Sequence, residues 1–109
     1  MKNIVKMDNA FGGKGCVTLE CLLDEKQLNN KCGLYAHAII EPGSTLGYHE
    51  HHGEAEVYYI LSGMGMYNDN GKKFEVKAGD VVYCADGSGH GIDCMGNETL
   101  HFMALIIKA

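Results

Sequence analysis

The chain has no arginine and no tryptophan, a single proline at Pro42, and no apolar run long enough to span a bilayer. Each absence narrows the possibilities. Arginine is the usual bidentate clamp for phosphates and carboxylates. An anionic ligand here must be met by lysine, backbone amides or a metal, which disfavours nucleotides and sugar phosphates. The nine cations are all lysines, scattered among 14 acids for a formal charge of −5. No basic stripe forms, so nucleic acid is not an expected partner. The start of the chain lacks the apolar core of a secretion signal. The five cysteines, Cys16, Cys21, Cys32, Cys84 and Cys94, are odd in number and contain no Cys-x-x-Cys. A disulfide framework is therefore not expected, and a reducing compartment fits better. These features point to a soluble cytoplasmic protein with no membrane partner.

What the chain does have is glycine and short apolar segments. At 109 residues it is one domain with room for one core. The 15 glycines and 46% apolar content suit short strands joined by tight turns. Residues 1–15 are polar and glycine-rich and read as an arm outside the core. Gly12, Gly13 and Gly15 lack the Gly-Lys-Ser/Thr ending of a phosphate loop. Residues 16–23 read as a first strand, and residues 24–30 as a helical turn or loop. Further strands are expected at 34–40, 46–52, 56–61, 65–68, 73–76, 80–84, 90–94 and 100–107. Glu41-Pro42-Gly43 is a strong turn signal, and Asn70-Gly71 is a favoured two-residue hairpin turn. No helical period is sustained. Many short strands at this spacing indicate an antiparallel sandwich or barrel. The expected division is residues 1–33 as arm and first strand, and residues 34–109 as barrel, within the single domain 1–109.

The most informative residues lie in the middle. Alternation along a strand puts His49 and His51 on one face. Glu56 follows after Gly53 at the start of the next apolar run, so a strand, turn and strand bring its carboxylate beside the imidazoles. With His90 the set offers three nitrogens and one oxygen, donors that suit a divalent transition metal. A six-coordinate ion would keep two open positions, with a net charge of about +1 for Lewis-acid or oxygen chemistry. The lack of thiolates in the set favours Fe, Mn or Ni over structural Zn.

The same residues carry a family resemblance. Gly43, His49, His51, Glu56 and Gly63 meet the first motif of the cupin superfamily, Gly-x5-His-x-His-x4-Glu-x6-Gly. Gly79, Gly87 and His90 meet the second, Gly-x5-Pro-x-Gly-x2-His-x3-Asn, with Ala85 in place of Pro and Cys94 in place of Asn. Neither departure touches a ligand position, though the loss of proline implies a looser turn before His90. The resemblance implies an all-β, antiparallel double-stranded β-helix, or jelly-roll barrel. It also implies one divalent metal (Fe, Mn, Ni or Zn) on His49, His51, Glu56 and His90, and a homodimer, for which residues 16–23 would be the edge or exchanged strand.

Other residues are weighed by strand parity. Tyr58 and Ile60 share parity with Glu56 and should line the interior. Cys94, four residues past His90, should share its face and approach the metal. His101, with Met103 and Leu105 on its face, is a candidate to look into the cavity. Tyr58, Cys94 and His101 are therefore the candidates to act beside the metal. His37 shares a face with Tyr35 and Ile39, and its role is open. His52 should turn outward and Glu50 away from the histidines; Glu54 shares parity with Glu56 and could approach the site, but its place at a loop favours solvent. The main reading is a binding protein that holds a small oxygen-bearing molecule, such as a hydroxy-keto compound or short carboxylate, at the metal. The alternative is a metal-dependent dioxygenase, isomerase, decarboxylase or lyase acting on such a molecule.

Overall fold

A computed structural model describes residues 3–109. Ten strands run in chain order: β1 (Asn3–Asp8), β2 (Cys16–Cys21), β3 (Cys32–Ile40), β4 (Thr45–Glu50), β5 (Glu54–Ser62), β6 (Met64–Asp69), β7 (Lys72–Lys77), β8 (Val81–Cys84), β9 (Gly89–Met95) and β10 (Leu100–Lys108). They form two antiparallel sheets, one ordered β1-β2-β3-β10-β5-β8 and the other β4-β9-β6-β7. The sheets face each other as the expected double-stranded β-helix.

Alternation sets the inner face. Ala36, Ala38 and Ile40 of β3, Glu56, Tyr58 and Ile60 of β5, and Leu100, Phe102 and Ala104 of β10 are buried. Their odd-even partners point outward. Val17, Ile40, Ile60, Val76, Ile92 and Leu100 fill one end of the sandwich. The other end holds a cavity of about 310 Å³. Asn70 and Gly71 both take positive φ, 52° and 99°, as the hairpin turn between β6 and β7 requires. Residues 24–30 make one turn, closed by the Leu28 N–H donating to the Asp24 carbonyl at 3.0 Å.

Of the arm expected at residues 1–15, residues 1 and 2 lie outside the described residues, and residues 3–15 depart from expectation. Residues 3–8 form a strand that pairs antiparallel with β2 along its whole length. Strand β2 is therefore flanked on both sides, and β1 takes the sheet edge that residues 16–23 were expected to supply. Nor does this segment stay outside the core: Met7 packs against it and Ala10 is within it. A short 3-10 turn (Ala10–Gly12) then lies across β4. The approach requires glycine: a Cβ on Gly47 would collide with the Phe11 carbonyl, and one on Gly13 with Thr45. Lys14 and Thr45 close the contact, each backbone N–H donating to an oxygen of the other residue at 2.8 Å.

The filled end and the cavity end should respond differently to truncation. Ile40 is fully buried and does not line the cavity. Ile40→Ala should cost about 2–5 kcal/mol in chemical denaturation, with no change in metal uptake. A loss below 1 kcal/mol would show that the filled end is not the stabilising core.

Candidate metal centre

His49 ends β4 with Glu50, His51 follows in the turn, Glu56 lies on β5 and His90 on β9. Three of the residues thus come from the four-stranded sheet or the turn leaving it, and the carboxylate comes from the six-stranded sheet. One donor atom from each lies within 4.8 Å of the other three. His51, Glu56 and His90 are buried and His49 is half-buried. The inner contacts are short: His51 Nε2 to Glu56 Oε1 3.0 Å, His90 Nε2 to Glu56 Oε1 2.9 Å, and His51 Nε2 to His90 Nε2 3.0 Å. Glycine at 89 and 91 lets β9 run close to its neighbour: Tyr48 covers Gly89, and the β4 backbone lies against Gly91.

Each imidazole is anchored through Nδ1. His49 Nδ1 donates to the Gly47 carbonyl at 2.8 Å, His51 Nδ1 donates to the Glu54 carboxylate at 2.7 Å, and His90 Nδ1 meets the Tyr67 hydroxyl at 2.8 Å. A carbonyl and a carboxylate can only accept, so the first two rings carry their proton on Nδ1. That leaves Nε2 as a lone pair aimed inward, the arrangement that outer partners impose on metal-binding histidines. Burial lowers the His49 pKa below its usual value, against the opposing pull of the Gly47 bond. The ring is therefore neutral and ready to donate at neutral pH.

Tyr58 occupies the interior beside the cluster, its hydroxyl 3.4 Å from His90 Nε2 and its ring stacked on that imidazole. Burial, reinforced by Glu56, holds its pKa well above the ordinary value. It is an O–H donor rather than a base. Burial also raises the Tyr67 pKa. The Cys84 thiol sits opposite Glu56 across β5 and β8 and is pushed up to about 11, by burial first and Glu56 second. It remains a thiol.

Two of the candidates beside the metal lie elsewhere. Cys94 shares the inward face of His90, as expected, but four strand residues carry it to the filled end, roughly 13 Å along β9. There its Sγ donates to the Glu98 carbonyl at 3.1 Å. His101 is on the outer face, because Leu100, Phe102 and Ala104 take the interior. Its Nδ1 lies 2.9 Å from His37 Nε2, and His37 Nδ1 is 3.0 Å from the Glu20 carboxylate. His52 is exposed beside Glu50, as expected. Glu54, expected in solvent, instead orients His51. The turn before His90 is held without proline by the Ser88 N–H donating to the Ala85 carbonyl at 3.0 Å and the Gly87 N–H to the His51 carbonyl at 2.7 Å.

Two contributors were not read from the sequence. Tyr67 reaches His90 only because β6 pairs with β9, a relation no sequence offset reveals. Phe11 stacks on His49 with ring centroids 4.2 Å apart. Its one available signal was a lone large apolar side chain in a polar, glycine-rich segment.

The structure is a two-sheet antiparallel barrel with a largely buried cluster of three histidines and one carboxylate that could hold a metal ion. The chain belongs to the cupins: the Cupin domain model matches residues 36–106. It is 45% identical over 102 residues to an oxalate-binding protein of Thermotoga maritima, covering 94% of this chain and 84% of that protein. The crystal structure of a predicted oxalate decarboxylase from Thermotoga maritima superposes with a TM-score of 0.95 at 42% identity, covering 99% of this chain and 94% of that one. An uncharacterised protein of Methanocaldococcus jannaschii is 40% identical over 68 residues, covering 62% of this chain and 54% of that protein.

The hydrogen bonds fix a tautomer that can be measured. Long-range nitrogen-15 correlation spectra of metal-free protein should show His49 protonated at Nδ1 with Nε2 bare. An Nε2–H form at His49 would contradict the anchoring described.

Proposed function

We propose that the protein binds a small oxygen-bearing ligand through one divalent transition metal held by His49, His51, Glu56 and His90. One observation carries the metal assignment. With His51 Nδ1 donating to Glu54, the Nε2 of the neutral ring turns its lone pair toward the Glu56 carboxylate at 3.0 Å. Acceptor faces acceptor inside a buried cluster, an arrangement that is costly without a cation to satisfy both. Three imidazoles and a carboxylate, with Cys84 kept as a thiol, fit Fe, Mn, Ni or Zn. When bound, the ion supplies Lewis acidity and open positions for ligand oxygens. Tyr58 then offers its proton to a ligand oxygen. The oxalate-binding relative supports a small carboxylate as ligand.

A second reading is a decarboxylase of a small carboxylate, as the similar Thermotoga structure is described. The residues here offer it less support: Tyr58 is kept protonated, and Glu54 is engaged with His51. Carbon dioxide release from oxalate by metal-loaded protein would favour it.

Purified protein should carry close to one transition-metal ion per chain. His51→Ala or Glu56→Ala should lose most of it, and Glu54→Gln should weaken metal affinity about 10–100-fold by freeing the His51 ring. Chelating oxyacids should raise the melting temperature only with metal present, and sugar phosphates should do little. Unchanged metal content in both alanine variants would overturn the assignment.

We also propose a homodimer through the outer face of the six-stranded sheet. Tyr59, Leu61, Val81 and Tyr83 are exposed there, 42–62% each. Such a contiguous apolar face is characteristic of an interaction surface. The five free thiols support a reducing, cytoplasmic setting. Light scattering at micromolar concentration should give twice the chain mass, and Tyr59→Glu with Val81→Glu should give the monomer. A monomeric parent protein would reject this interface.

A further inference from the structure

The cavity beyond the metal ligands says what kind of molecule the site takes, given the reading of that site as a chelator-binding metal centre. At about 310 Å³ it reaches the lower end of the range for drug-sized ligands, roughly 300–1,000 Å³. A two-carbon dicarboxylate leaves most of that space unfilled. The lining is divided. Polar groups gather at the metal end, where Tyr58, His49, His51 and Glu56 line the cavity. The rest of the wall includes Met7, Leu19, Leu34, Ala38, Phe102 and Ile106. Among the described residues no lysine and no side-chain amide lines it, and the only other charged lining groups are the carboxylates of Glu50 and Glu54.

This division bears on how a ligand can sit. A dicarboxylate that chelates through one oxygen of each carboxylate turns its two remaining oxygens away from the ion. Here they would face alkyl groups, with Tyr58 the one nearby donor. Polar atoms buried without partners weaken binding. Its double negative charge would also approach two further carboxylates. A ligand with a single carboxylate and a neighbouring carbonyl or hydroxyl chelates equally well. It can then present carbon to the wall.

We propose that the occupant is an oxygen chelator with an apolar tail: a 2-oxo or 2-hydroxy monocarboxylate bearing an aliphatic or aryl group. The chelating head sits at the metal beside Tyr58. The tail lies along the inner face of β2, β3 and β10, against Leu19, Leu34, Phe102 and Ile106. Burying each added methylene should tighten binding about fourfold until the space is filled.

The test is calorimetric titration of manganese-loaded protein with pyruvate, 2-oxobutyrate, 2-oxopentanoate and 4-methyl-2-oxopentanoate. Oxalate and pentanoate serve as head-only and tail-only controls. The expected result is affinity rising about fourfold per methylene, with the longer 2-oxo acids binding more tightly than oxalate and pentanoate binding weakly. Leu34→Phe, which enlarges a half-buried wall residue, should weaken the longest member at least tenfold relative to pyruvate. The series on the parent protein stands even if this variant folds poorly. A flat series, or oxalate binding more tightly than every 2-oxo acid, overturns the apolar tail and leaves metal-dependent chelator binding intact. No binding by any of these ligands, oxalate included, overturns both. A length dependence that persists unchanged in metal-free protein overturns the chelating head.

Discussion

Four electron-pair donors are gathered inside an apolar shell, and much of the open end of the barrel is arranged around that constraint. Buried acceptors are costly unless each finds a partner. Here the outer side of every ring is satisfied, by Gly47, Glu54 and Tyr67. The inner sides are left to one another. Glu56 comes from one sheet and His49 and His90 from the other, so whatever satisfies the inner atoms also ties the two sheets together. The filled end needs no such tie, because Ile40, Ile60, Ile92 and Leu100 close it by packing.

The N-terminal segment belongs to this arrangement. Strand β1 extends the large sheet, Met7 and Leu19 add to the cavity wall, and the turn across β4 sets Phe11 against His49. Glycine at 13 and 47 allows the two backbones to touch. The matched family region, residues 36–106, begins after this segment. The wall it builds therefore lies outside the matched family region, and it is largely apolar.

The grouping of His49, His51 and Glu56 was legible because a short turn joins two of the strands, and strand parity then fixes which side chains meet. His90 was legible only through the family motif, since its neighbour β4 lies some 40 residues earlier in the chain. Parity has a limit: it sorts side chains into two faces without saying which is inside. That limit accounts for His101, whose face is the outer one. Parity also says nothing of position along a strand, which is why Cys94 shares a face with His90 and still lies at the other end. Strand β1 was hidden for a different reason. Nearly all its residues are exposed, so no alternation marks it. Glu54 was placed in solvent because charge at a turn usually is; the 2.7 Å bond to a buried imidazole outweighs that tendency.

The polar groups close to the centre bear on the proposal of a binding role. Catalysis by proton transfer needs a group that exchanges its proton near neutral pH. Tyr58 and Cys84 are both shifted upward by burial and by Glu56, away from that range. Glu54 spends its carboxylate on His51. What remains is a protonated hydroxyl, a chelating position and an apolar wall. Those parts are what the proposed ligand, with a chelating head and an apolar tail, would meet.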